Sequence, residues 1–167
     1  MKNHERALTA RPDVGDAWRA LNGAIKANMD LRRYELATVA AARRLRSSYC
    51  VLAHGSVLME QFMSPAELQA IVADHRDAGL DEVDVAVMDL AEKVVDDASS
   101  ITEADRDRLR ALGLSDEDIL DVVLAATARC FYSKMLDAMG VQPDAEYAEL
   151  DPELLETLVV GRAIASA

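Results

Sequence analysis

Tyr34-Glu35-Leu36-Ala37-Thr38-Val39-Ala40-Ala41-Ala42-Arg43-Arg44-Leu45-Arg46-Ser47-Ser48-Tyr49-Cys50-Val51-Leu52-Ala53-His54 is the stretch whose reading decides the fold. Its first part is almost wholly apolar and lies between basic ends, Arg32 and Arg33 on one side and Arg43, Arg44 and Arg46 on the other. The pattern predicts a buried helix from Leu31 to about Arg46, with Asp30 able to cap it. Ser47 or Ser48 can cap a second helix, which holds Cys50, His54 and Leu58. The arginines at the ends of the buried helix are expected to pair with the acidic half of the chain or of a neighbouring subunit.

Outward from this stretch, start and stop signals divide the chain into helices with little left over. Asp13 or a neighbour opens a helix through Trp18, Leu21 and Ile25. Ser64, Pro65 and Glu67 combine a capping serine, a proline at the first helical position and a glutamate three residues after the cap. That helix stops near Gly79, and Asp81 begins the next. Thr102 with Asp105 and Ser115 with Asp118 repeat the capping pattern, Gly113 and Gly140 end those helices, and Asp151-Pro152 starts the last. No segment alternates with a period of two, so the fold class is all-α, with about seven or eight helices. Residues 1–145 are expected to form the helical domain and residues 146–167 a C-terminal helical arm of the same domain.

The chain has 167 residues, 51% hydrophobic and 29% charged, enough for one domain with a real core and incompatible with disorder. Aromatic residues make up only 4%, which favours helices packed through small and aliphatic side chains. The net charge of −12 is uneven: residues 1–63 carry +4 and the remainder −16. The basic segment lacks interleaved aromatics, which excludes a nucleic-acid-binding role. No run approaches about 18 uninterrupted apolar residues, so no membrane span is expected. Two cysteines without a spaced Cys/His cluster, and no charged-then-apolar leader, argue against a disulfide scaffold, a zinc module and a secreted precursor. A soluble cytoplasmic protein is the expectation. No Glu-x-x-His pair exists for a di-metal bundle, and Glu35 with His54 are too few ligands for a tight metal site, so neither cofactor nor metal is expected.

Glu35 shares a helical stripe with Leu31, Thr38, Ala42 and Leu45, which turns a carboxylate inward. Cys50 falls in the first turn of its helix, where unpaired backbone N–H groups and the dipole favour a thiolate, and His54 lies one turn further along the same face. A thiol, a base and a carboxylate that orients the base are the ingredients of an activated nucleophile. Plainer readings stand beside this one. Cys50 could be a small buried hydrophobe, and Glu35 could cap a helix or pair with a buried arginine. Cys130 reads as core, His4 as part of a frayed terminus and His75 as one residue of a solvated face, so none of these three receives a role.

At these residues the chain resembles the alkylhydroperoxidase AhpD-like and carboxymuconolactone decarboxylase proteins, and most of all their branch of peroxidase-related enzymes. The family motif is a glutamate, eleven residues, a cysteine, two residues, a second cysteine, three residues and a histidine. Glu35, Ser47, Cys50 and His54 occupy those positions, with serine in place of the first cysteine. The stretches Leu90-Ala91-Glu92-Lys93, Ile101-Thr102-Glu103-Ala104-Asp105 and Gly113-Leu114-Ser115-Asp116-Glu117-Asp118-Ile119-Leu120-Asp121 extend the likeness to roughly residues 10–145.

The resemblance implies a compact AhpD-like domain that assembles into closed homo-oligomers, trimers or hexamers. It also implies that Cys50 attacks a peroxide, with His54 as its base and Glu35 as the relay carboxylate. Ser47 cannot resolve the resulting sulfenic acid, so a small thiol or a protein thiol is the implied reductant. Two alternatives follow from the same residues: a decarboxylase-like enzyme using Glu35 and His54 as acid and base, or a non-catalytic oligomeric member.

Overall fold

The computed structural model describes residues 1–166. It is all-helical, with nine α-helices among the described residues, eight of them seven residues or longer. In chain order they are α1 (Asn3–Arg6), α2 (Pro12–Asn28), α3 (Leu31–Arg44), α4 (Ser48–Gln61), α5 (Pro65–Asp74), α6 (Glu82–Asp97), α7 (Glu103–Ala111), α8 (Asp116–Ala138) and α9 (Pro152–Leu158).

Helix α3 is the axis of the fold. Every residue from Tyr34 to Ala42 is buried, and α4, α6 and α8 pack around it. Ala37, Ala40, Ala41 and Ala42 let these neighbours approach closely, which a helix carrying larger side chains all round would prevent. The arginines at its two ends find their partners within the same chain, on α6. Arg32 and Arg33 both pair with the buried carboxylate of Asp84, Arg33 Nε at 3.1 Å. Arg43 Nη1 lies 3.2 Å from Glu92 Oε1, and Arg44 Nη2 lies 2.5 Å from Asp96 Oδ2. Basic first third and acidic remainder thus meet along the α3–α6 seam.

Local signals set the helix starts. Asp30 accepts from the Arg33 N–H at 3.0 Å, and reciprocal capping boxes open α5, α7 and α8 at Ser64/Glu67, Thr102/Asp105 and Ser115/Asp118. Each such cap is worth about 1 kcal/mol. Helix α3 ends in a Schellman turn, the Ser47 N–H donating to the Ala42 carbonyl at 3.0 Å. Arg46 takes the left-handed position of that turn, at φ 56°. Residues beyond α9 return to this turn: Arg46 Nε donates to the Val160 carbonyl at 3.2 Å and the Gly161 N–H donates to Ser48 Oγ at 2.8 Å. Gly161 has to be glycine, because a Cβ there would lie 1.9 Å from the Arg46 carbonyl oxygen.

Three expectations need correction. His75 is not on a solvated face; it is 1% exposed at the C-terminal cap of α5, its Nε2 3.0 Å from Asp89 and its Nδ1 3.9 Å from Glu92. Its chain neighbours Asp74, Arg76 and Asp77 point outward while its ring fills the gap to α6. His4 is not frayed, since its ring packs edge-on against Tyr49 and its Nδ1 lies 2.9 Å from the Tyr132 hydroxyl. Cys130 is only partly buried and is a free thiol, which burial pushes above its ordinary pKa.

Candidate active site

Helices α2, α3, α4 and α8 converge on one cluster of polar side chains. The Glu35 stripe faces inward as its spacing requires, leaving the residue 1% exposed. His54, on α4, places Nδ1 2.5 Å from Glu35 Oε2, and Lys26 of α2 places Nζ 3.3 Å from Glu35 Oε1. The other imidazole nitrogen faces α8, where Arg129 Nη1 lies 3.0 Å from His54 Nε2. Arg129 Nη2 donates to Asn22 Oδ1 at 2.9 Å, and the same oxygen accepts from the Tyr34 hydroxyl at 2.9 Å. The guanidinium also faces two aromatic rings, 5.1 Å from the centroid of Trp18 and 5.5 Å from that of Tyr132, which are themselves stacked.

A cavity of about 220 Å³ lies at this convergence, and Cys50, His54, Arg129, Trp18 and Tyr132 are among its walls. Cys50 occupies the third position of α4 and is 2% exposed. Its sulfur accepts a hydrogen bond from the buried Ser133 hydroxyl of α8 at 3.1 Å. Sulfur and imidazole therefore face one cavity, each with its own hydrogen-bond partners. Ser47, at the N-cap of α4, makes no side-chain cap; its hydroxyl is fully buried and has no partner among the described residues. The expected serine cap thus fails, while the neighbouring Ser48 hydroxyl is taken by the Gly161 N–H.

Burial lowers the pKa of His54, and although the Glu35 hydrogen bond pulls the other way, the positive charge of Arg129 adds to the lowering. Burial alone would push Glu35 up, but the His54 hydrogen bond and the Lys26 charge overcome it and hold the carboxyl below its ordinary range. Glu35 is thus the charged member of the pair and His54 the neutral one. Burial also pushes Tyr132 up to about 12, so its hydroxyl remains a neutral donor and acceptor at the cavity wall.

Sequence reasoning missed Arg129, Asn22, Trp18, Tyr132 and Ser133. A signal for Arg129 does exist: it is the only charge on a stripe of α8 formed by Val122, Ala125, Ala126, Tyr132, Ser133 and Leu136, all of which are buried. A cation on the apolar face of a helix is an inward-facing polar group in the same sense as Glu35.

The fold has relatives. The family model described as the carboxymuconolactone decarboxylase family matches residues 12–93, which contain Glu35, Cys50 and His54. An uncharacterised peroxidase-related protein from Ralstonia eutropha, described as an alkylhydroperoxidase AhpD core, is 25% identical with a TM-score of 0.77, over 93% of this chain and 80% of that one. An uncharacterised peroxidase-related protein from Silicibacter sp. is 27% identical with a TM-score of 0.73, over 80% of this chain and 72% of that one. A protein of unknown function from Agrobacterium tumefaciens shares the fold at 19% identity and a TM-score of 0.74, over 81% of this chain and 94% of that one. No curated protein matches the sequence. The match of residues 12–93 to its model, together with the peroxidase-related structures that superpose on these helices, supports assigning the chain to the carboxymuconolactone decarboxylase family.

Proposed function

We propose that the protein is a thiol-dependent peroxidase that reduces peroxides at Cys50 and takes its reducing equivalents from a small thiol or a protein thiol. The observation that carries this reading is the single cavity whose walls include both the Cys50 sulfur and the His54 imidazole, with Glu35 fixing the far side of that imidazole. His54 Nε2 takes the thiol proton while Glu35 stabilises the imidazolium that forms. The sulfur attacks the terminal oxygen of the hydroperoxide and the O–O bond breaks. The departing alkoxide takes the proton from His54 and leaves as the alcohol. Cys50 is oxidised by two electrons to the sulfenic acid. One thiol then displaces water from the sulfenic acid to form a mixed disulfide, and a second thiol releases Cys50 as the thiol.

With Ser47 in place of a resolving cysteine, both thiols come from outside the motif. Hydroperoxide consumption with 2-mercaptoethanol as donor tests the proposal: Cys50→Ser reduces the rate to background. A variant as active as the wild type overturns it. In that event proton transfer by Glu35 and His54 alone is the reading that stands, favoured by a 2.5 Å hydrogen bond that does not involve the sulfur.

The same reading includes assembly into a closed homo-oligomer, a trimer or a hexamer. Leu21, Leu120, Leu124 and Phe131 support it, because α2 and α8 leave these large apolar side chains in water, beside a groove of about 340 Å³. Light scattering that gives a particle near 18.2 kDa contradicts the assembly.

A further inference from the structure

Arg129 is 3% exposed, and its described partners are a neutral imidazole, an amide oxygen and two aromatic rings, with no carboxylate among them. Its Nε is buried without a hydrogen-bond partner among the described residues. Nor does Glu35, beyond the imidazole, balance this charge, because Lys26 already pairs with it. Lys26, Glu35, neutral His54 and Arg129 together carry one positive charge in excess, and it resides on the guanidinium at the cavity wall. Asp144, near the His4 side of the cavity, is taken by the Tyr49 hydroxyl and the Asn3 N–H. A buried cation without a counter-charge is strongly unfavourable, and an anion entering the cavity offsets that penalty.

We infer that the cavity takes a small organic anion, a carboxylate joined to an apolar body, and that Arg129 holds its carboxylate. The guanidinium fork matches a carboxylate in shape and charge. The remaining walls combine the Trp18 and Tyr132 rings and the Ala53 methyl with the polar His4, Asn22 and Tyr49, and the apolar groove between α2 and α8 begins on the other side of Trp18. The rings, the methyl and the groove suit a hydrocarbon body, which an inorganic anion lacks. The inference rests on the proposed peroxidase reading in one respect only: it makes the substrate an acidic organic hydroperoxide. When that carboxylate draws Arg129, His54 Nε2 becomes free to take the thiol proton.

Trp18 is the sole tryptophan of the chain and stacks beside Arg129, so its fluorescence reports the cavity directly. Titrations with hexanoate, hexan-1-ol and inorganic phosphate test the inference. Hexanoate is expected to saturate the signal about tenfold more tightly than hexan-1-ol, the margin of one charge-assisted hydrogen bond, and phosphate is expected to give no saturable change. Arg129→Gln is expected to lose that tenfold for hexanoate while leaving hexan-1-ol unchanged, and Arg129→Lys to fall between. Equal affinity for hexanoate and hexan-1-ol in the wild type overturns the inference even if Arg129→Gln does not fold, and so does phosphate that competes with hexanoate. Binding through Arg129 without hydroperoxide consumption sinks the peroxidase reading and leaves this one standing. Consumption in which Arg129→Gln treats acidic and neutral hydroperoxides as the wild type does sinks this one alone.

Discussion

Arg129 donates from Nη1 to Nε2 of His54 at 3.0 Å, and because a guanidinium only donates, the proton of the neutral imidazole resides on Nδ1, where Glu35 receives it. The hydrogen-bond chain thus has one direction, from α8 through α4 to α3. In it the lone pair of His54 faces the cavity and its N–H faces the carboxylate. This fixed tautomer shapes the pH behaviour of the fold.

Stability is expected to fall on acidification partly through His54. Its folded pKa is held below the unfolded value near 6.5 by burial and by Arg129. As pH drops through 6.5, the unfolded chain binds a proton that the folded chain refuses, so stability declines until the folded value is reached. The slope for one such proton approaches about 1.4 kcal/mol per pH unit. Urea midpoints at pH 7.5 and 5.5 check this, with His54→Gln losing less between the two than the wild type. Identical losses contradict the assignment of a neutral, buried imidazole.

Glu35→Gln is expected to reduce kcat/KM for hydroperoxide by about 10²–10⁴-fold, the range for removing a positioned proton-transfer group. Glutamine keeps the shape but stabilises neither one tautomer nor the imidazolium. Steady-state rates with 2-mercaptoethanol measure the effect, and a loss below threefold would leave Glu35 a structural partner of Lys26.

Ser47→Ala is expected to stabilise the protein by about 1 kcal/mol, because it removes a buried hydroxyl that has no partner. A helix cap replaced by alanine would lose that amount instead, so the sign of the change in urea midpoint decides between the two.

Ser47→Cys is expected to form a disulfide with Cys50 across the first turn of α4, as in Cys-x-x-Cys motifs. Mass spectrometry after peroxide treatment is then expected to show a loss of two mass units and less sulfinic acid at Cys50. Sulfinic acid formed as readily as in the wild type contradicts the expectation.

Gly161→Ala is expected to lower stability by about 1–3 kcal/mol, the usual cost of forcing an atom into packed structure. Its Cβ would meet the backbone oxygen of Arg46, which no side-chain rotation can relieve. Thermal unfolding reads the change, and an unaltered midpoint would mean that this segment is not seated on the turn.

What the sequence made legible was local. Ser64 with Glu67, Thr102 with Asp105 and Ser115 with Asp118 announce their helices within four residues, and all three boxes form. The inward stripe of Glu35 and the one-turn spacing of Cys50 and His54 are likewise properties of single helices; the cavity is walled by α4 with α2 and α8, and α3 packing on α4 sets the Glu35 carboxylate behind the imidazole. Arg129 stayed hidden because its role needs α8 laid across both, 75 residues away from His54 in the chain. His75 was misread because one inward ring stands among outward charges, and a window averaged over Asp74, Arg76 and Asp77 reports only the majority.

The Gly161–Ser48 hydrogen bond spans 113 residues of chain. Helices and their caps close over a few residues and form early, whereas a contact of such separation must await closure of a loop about two-thirds as long as the protein, and distant contacts slow folding. The seating of the C-terminal segment on the turn ahead of Cys50 is therefore expected among the last steps of folding. A chain stalled just short of that step would have its core helices, its cysteine and the local turn, but not yet the C-terminal segment that braces the approach to the cysteine helix.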